Sequence, residues 1–387
     1  METGFLMNWP LPRSAYIHVP FCRHRCGYCN FSVVADRDDL MDRYLAAIDR
    51  ELEQLASTAN RAPVLDTLFV GGGTPTHLPI ERLQRFLQSL RRHFELAEGF
   101  EWTMEANPED ITAEKLEVMS GIGVNRVSLG IQSFDDRKLA VLERSHSGRS
   151  AAEVIQQVAE QIPNVSIDLI FAAPGETVSA WAEDLRIAAS LPITHVSTYS
   201  LTYEKGTSFW TRRHRGDLSE VDESTEIAMY DLGREVFAAA GLLHYEISSF
   251  AKSGYRCRHN LAYWQGDPWY AAGPGAAAFV DGQRVMNHRS TTTYLKRIEN
   301  RENPIAESET ISAEEAGREG VAFGVRMIDG VDLSQIHART GVDIGSLYAR
   351  PLERLQAQGL IRRTGDHIQL TARGIHFADT VARELLG

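Results

Sequence analysis

Four cysteines in 387 residues are too few for a disulfide framework, which needs many regularly spaced pairs. Long apolar runs are also missing, and none approaches the roughly 18 residues that signal a membrane-spanning helix, so no such span is expected. Positive charge is in deficit. A net charge of -12 argues against a broad nucleic-acid-binding surface, which depends on lysine and arginine. Residues 1–14 lack a basic segment followed by an apolar one, so no signal peptide is expected, and reduced thiols then place the chain in the cytoplasm. No internal repeat or low-complexity segment interrupts it. Hydrophobic residues at 43% and charged residues at 24% suit a globular protein, and the length suits two domains.

Three of the four cysteines crowd into the run Cys22-Arg23-His24-Arg25-Cys26-Gly27-Tyr28-Cys29. This Cys-x3-Cys-x2-Cys spacing, just after a short apolar strand, reads as an iron-sulfur site. Three thiolates on one tight loop can each ligate a corner of a [4Fe-4S] cluster and leave the fourth iron open. A zinc site normally closes with four ligands in two pairs, and the only other cysteine is Cys257. Three inert cysteines are the bland alternative, but so uneven a distribution argues against it.

Around that loop, β-branched apolar runs at residues 15–19, 65–70, 102–105, 126–131, 165–171 and 195–201 predict strands. Met41, Tyr44, Leu45, Ile48, Leu52 and Leu55 have helical spacing between them, as do Leu83, Phe86, Leu87, Leu90 and Phe94. Six strand-helix units with a parallel sheet fit a doubly wound sheet or a full or partial barrel. Gly71-Gly72-Gly73-Thr74-Pro75 follows the second run, and glycines there let the backbone approach a ligand closely. Alone, such a turn is weak evidence. Glu105 ends the third run, Gln132 the fourth, and Asp168 lies in the fifth, so their side chains are expected at one mouth of the sheet.

With these residues in view, the chain resembles the radical S-adenosylmethionine (SAM) enzymes. The resemblance rests on the cysteine loop, the aromatic Tyr28 before its last cysteine and the preceding Tyr16-Ile17-His18-Val19-Pro20-Phe21, and it covers about the first two thirds of the chain. It implies an α/β fold, an incomplete (β/α)6 barrel, with a [4Fe-4S] cluster on Cys22, Cys26 and Cys29. It also implies SAM on the open iron, whose sulfonium bond breaks to a 5'-deoxyadenosyl radical; the cofactor carries that chemistry. By motif position, Gly72, Gly73 and Thr74 receive the methionine amino group, Glu105 and Arg144 the methionine end, and Gln132 and Asp168 the ribose hydroxyls. Tyr16 and Tyr28 are placed beside the cofactor. A guanidinium forks onto a carboxylate and an acidic side chain accepts from a diol, so the assignment is chemically sound. Taken singly, Glu105 and Asp168 are equally readable as strand-end caps and Arg144 as a solvated helix residue.

Further along, Cys257-Arg258-His259-Asn260-Leu261-Ala262-Tyr263-Trp264 narrows the resemblance to the heme chaperone subgroup, HemW, relatives of coproporphyrinogen III dehydrogenase. The dehydrogenase pattern has a further cysteine where this chain has Phe31, and a longer N-terminal extension. The resemblance implies heme and heme-accepting proteins, respiratory enzymes among them, as partners, and leaves peripheral membrane contact open. A neutral imidazole from His259 suits heme iron, and Tyr263 and Trp264 offer flat faces for a porphyrin. Cys257, His244 and His288 are rival ligands, and an aromatic strand packed on the barrel around a satisfied histidine is the plainer alternative. A heme carrier and a radical oxidative decarboxylase of coproporphyrinogen III both remain open.

The last stretch changes character. Helical patterns at residues 313–327 and 344–358, a two-stranded ribbon at 361–370 and a final helix at 371–385 read as a small winged-helix-like domain. From Ile311 onward it carries 10 acidic and 9 basic residues, which disfavours DNA as its partner. The expected division is a barrel with a heme-associated extension over residues 1–300 and a C-terminal domain over 301–387.

Overall fold

The computed structural model describes residues 9–58 and 62–387; the first eight residues of the stretch read for a signal peptide lie outside the described residues. Strands β1 (Ser14–Val19), β2 (Phe21–Cys22), β3 (Val34–Ala35), β4 (Val64–Gly72), β5 (Glu95–Ala106), β6 (Arg126–Gln132), β7 (Asn164–Phe171) and β8 (His195–Ser200) carry the first half. All six predicted strands are present. β1, β4, β5, β6, β7 and β8 pair in that order, each parallel to the next, with helices in every crossover. Burial on both faces explains their near-continuous apolar character, since helices cover the outside and side chains fill the inside. Both amphipathic patterns fold as helices, Met41–Thr58 and Ile80–His93, and pack their apolar stripes on this sheet.

Strands beyond the barrel extend the sheet at both ends. β10 (Ser249–Ala251) adds antiparallel to β8, and β9 (Leu243–Glu246) pairs antiparallel with β10 at the edge. β11 (Trp269–Ala272) pairs parallel with β1, and β12 (Ala277–Val280), β13 (Gln283–Asn287) and β14 (Ile305–Thr310) continue antiparallel from it. The full order is β14-β13-β12-β11-β1-β4-β5-β6-β7-β8-β10-β9, and the two edges do not pair with one another, so the barrel is open.

The C-terminal unit has its own apolar cluster, from Val321 to Leu385. β15 (Val331–Asp332), β16 (Ile361–Thr364) and β17 (His367–Leu370) form a three-stranded sheet in the order β15-β17-β16, flanked by helices. Four expectations change here. Residues 305–310 pair with β13 as part of the large sheet, so we place the division after Thr310 instead of at 301. The single helix expected over 344–358 is two, Ile344–Leu347 and Ala349–Ala357, because Pro351 has no N–H with which to continue the ladder. The last helix is likewise divided at Phe377. The segment around His259 is a helix, Arg258–Trp264, and not an aromatic strand.

Candidate functional site

β1 ends at Val19, and the cysteine loop follows directly, so the thiols sit at the C-terminal end of the barrel. The loop is held from below. Cys29 N–H donates to the Cys26 carbonyl at 3.0 Å, Gly27 N–H to Glu143 Oε2 at 2.7 Å, and Phe209 N–H to the Gly27 carbonyl at 2.8 Å. A Cβ on Gly27 runs into the Phe209 ring and the Glu143 carboxylate, so only glycine fits. Thr74 Oγ1 lies 3.6 Å from Cys22 Sγ and Arg144 Nη1 lies 3.7 Å from Cys26 Sγ. Burial pushes the Cys22 thiol up to about 12 and raises that of Cys29. Among the described residues no three His, Cys, Asp or Glu side chains converge tightly enough to hold one metal ion. Thiols spread around one loop, each serving a different iron, suit a cubane instead, and metal binding deprotonates a thiol that burial keeps neutral.

The glycine turn packs tightly against that loop. Gly73 N–H donates to the Val19 carbonyl and Thr74 N–H to that of Phe21, at 2.8 and 2.7 Å, while Gly72, at φ +100°, gives its N–H to Glu105 Oε2 at 2.8 Å. These donors are spent inside the protein, and Gly72, Gly73 and Thr74 are not among the residues that line the cavity at the barrel mouth. Glu105 is raised to about 7, first by burial and then by the nearby Asp168, against the Gly72 N–H. Asp168 is raised to about 6 by burial, which outweighs the charge of Arg126 and the hydroxyls of Ser197 and Ser128. Gln132 takes a left-handed φ of +65°, uncommon for a residue with a Cβ, and this conformation marks the end of β6.

The expected residues are only partly brought together. Tyr28, Cys29, Glu105, Gln132 and Asp168 line one cavity of about 750 Å³ at the barrel mouth. Arg144 stands behind the cysteine loop, its Nη2 donating to Asn107 Oδ1 at 2.7 Å and to the Gly130 carbonyl at 2.9 Å, with Nε buried and unpartnered. Asn107 in turn donates to Thr74 Oγ1 at 2.8 Å, so Thr74, Asn107 and Arg144 form one chain from cysteine to cysteine. Tyr16 is half-buried with its hydroxyl 3.0 Å from His18 Nδ1 and does not line the cavity.

His259 departs furthest from expectation. It is 1% exposed, stacks on Phe69, and has both ring nitrogens engaged, Nδ1 with Thr67 Oγ1 and Nε2 with the Tyr263 hydroxyl, each at 2.8 Å. Thr67 pairs with Ser14, the first residue of β1, so His259 lies toward the opposite end of the barrel from the cysteines. Helix Arg258–Trp264 plugs that end, with Cys257 Sγ and the His259 N–H directed to Glu101. The expected open axial position on His259 is therefore absent in this conformation. Tyr263 packs edge-on to Trp269, and Trp264 lies beneath the Arg326 guanidinium. Among the rival ligands, Cys257 is fully buried and His244 Nε2 contacts Tyr230 and the Ile247 carbonyl.

Sequence reasoning missed Asn107, Glu143 and Phe209, whose roles exist only through partners distant in the chain. It also missed Arg126, buried inside the barrel at 2% exposure, and the cavity residues Tyr199, His376 and Phe377. Of these, Asn107 had a signal, since it stands two residues beyond Glu105 in the same strand-end run.

An open barrel of parallel strands with three cysteines on the loop after its first strand defines a protein of the radical SAM class. Residues 16–188 match the radical SAM superfamily and residues 311–377 the HemN C-terminal domain. The fold is similar to that of coproporphyrinogen III oxidase (HemN) from Escherichia coli, with a TM-score of 0.85 at 20% identity over 97% of this chain and 90% of that one. Proteins named heme chaperone HemW are similar over nearly the whole length. That of Mycobacterium tuberculosis H37Rv is 38% identical, covering 97% of this chain and 95% of its own, and that of Bacillus subtilis 168 is 33% identical, covering 97% and 99%. That of Escherichia coli K12 is 31% identical, covering 96% and 97%. The chain belongs to the HemW family.

Proposed function

We propose that this chain is a heme carrier that holds a [4Fe-4S] cluster and SAM at its barrel mouth and delivers heme to acceptor proteins in the cytoplasm, respiratory enzymes among them. Near-full-length similarity to heme chaperones, at 31–38% identity, carries the reading. Cys22, Cys26 and Cys29 are the thiolates for the cluster, and when bound it supplies the electron that cleaves a sulfonium. Arg144 and Thr74 flank two of those sulfurs and help to hold the loop. Glu105 accepts the methionine ammonium beside the acceptors of the glycine turn, and Gln132 and Asp168 accept the ribose hydroxyls. Phe31, 57% exposed on the cavity wall, adds an apolar face and no thiol.

A second reading, oxidative decarboxylation of coproporphyrinogen III, draws on the open space beside Glu105 and Asp168, where a substrate could meet a radical. The anaerobically reconstituted protein, incubated with ferric heme and separately with coproporphyrinogen III, distinguishes the two. Heme uptake without protoporphyrinogen formation is expected. Robust turnover, or no uptake, overturns the carrier reading.

A further inference from the structure

The cavity at the barrel mouth has two ends of different chemistry. Its inner end is made by Cys29, Glu105, Gln132 and Asp168. Its outer end lies under the C-terminal unit, where Tyr230 packs edge-on to His376 and Phe377 follows; Tyr199 and Phe31 line the same cavity. Phe31, Tyr199 and Phe377 are 57%, 44% and 37% exposed, three large rings left partly in water along one cavity. A flat apolar ligand against them recovers that burial.

His376 is the one imidazole in this lining. It ends helix Ala372–His376, and its Nε2 lies 2.9 Å from Asp231 Oδ1 on helix Glu223–Ala239, which leaves Nδ1 without a hydrogen-bond partner among the described residues. A carboxylate on one ring nitrogen orients an imidazole and raises the basicity of the other, the arrangement found behind metal-bound histidines. His259 offers neither feature, being buried with both nitrogens engaged. We propose that the outer end of this cavity is the heme site and that His376, held by Asp231, is its axial ligand. The proposal rests on the heme-carrier reading and assigns the residue that performs it.

Charge sets the orientation of the ligand. Glu204, Glu223, Glu226 and Asp379 line the outer part, and the single guanidinium there, Arg326, is paired with Asp379 at 2.7 Å. Propionates find no free cation among the described lining residues, so they point to solvent and the opposite, vinyl-bearing edge of the ring faces inward. The alternative role for the His376–Asp231 pair is a clasp between the two units, which Gln at 376 can also serve.

The test uses the full-length chain with cluster and SAM in place, titrated with ferric heme and followed by Soret absorption, ferric electron paramagnetic resonance and transfer to apomyoglobin. H376Q is expected to keep SAM binding, lose the nitrogen-ligated heme spectrum and release heme at least about tenfold faster, and D231N to speed release about tenfold. Imidazole should restore the spectrum to H376G. H259Q should keep the wild-type spectrum, and an iron porphyrin with esterified propionates should bind as heme does. H376Q with wild-type spectrum and release rate, or H376G without imidazole rescue, overturns the assignment while leaving the carrier reading in place. Absence of heme uptake by the wild-type protein removes both.

Discussion

Two buried carboxyls make the proposed SAM site sensitive to pH. Asp168 and Glu105 move from ordinary values of 3.8 and 4.5 to about 6 and about 7, burial being the largest cause for each. The ligand-free fold therefore favours their protonated forms. That contribution to stability is fully present below the ordinary values and is lost as pH rises through about 6 and about 7. An ammonium and a ribose diol need the charged forms, so SAM binding should expel protons below neutrality, with affinity rising with pH and levelling off above about 7. Calorimetry in two buffers of different ionisation heat reads the released protons, and zero release at pH values below the plateau would sink the carboxylate assignment. At the cysteine loop, Gly27→Ala should cost about 1–3 kcal/mol by overpacking against Phe209 and Glu143, with a matching fall in iron bound on reconstitution. Unchanged iron content would show that the clamp is dispensable. The cysteines were legible in the sequence because their chemistry is local to eight residues. Glu143 and Phe209 were not, because they reach Gly27 across 116 and 182 positions of chain.

Helix Arg258–Trp264 closes the far end of the barrel, and the hydroxyls of Thr67 and Tyr263 both bond one imidazole. His259→Ala leaves the Tyr263 hydroxyl without its partner, leaves Thr67 Oγ1 with Ser14 alone and opens a void against Phe69, so a loss of about 2–5 kcal/mol is expected in denaturant unfolding, with the heme spectrum unmoved. A spectral change without loss of stability would return His259 to the heme. The extending strands β11 to β14 escaped the sequence reading because they are short and β13 and β14 are only partly buried. One signal was available. Asp281-Gly282, both at positive φ, forms the two-residue turn between β12 and β13, and that dipeptide is a strong hairpin marker. Helix Leu333–Thr340 was marked in the same way, by Asp332 capping its start and Gly341 at left-handed φ closing its end.

The C-terminal unit touches the barrel at the cavity through His376 to Asp231, and outside the cavity lining through Arg256 to Asp329. Ligands that fill the outer end should therefore slow hydrogen exchange over residues 371–386, because local opening of those helices then requires release of the ligand. Exchange there that is indifferent to heme would argue that heme sits elsewhere. The sequence by itself determined the six-strand periodicity, the cysteine loop and the strand-end polar residues, since alternation and spacing are properties of neighbours along the chain. Only the tertiary structure decided which of those residues share a cavity. Parallel register carried Glu105, Gln132 and Asp168 to one mouth, while the same register put Thr67, and with it His259, toward the other end. Whether an imidazole is open or satisfied depends on partners nearly two hundred residues away, and no local pattern encodes that distance.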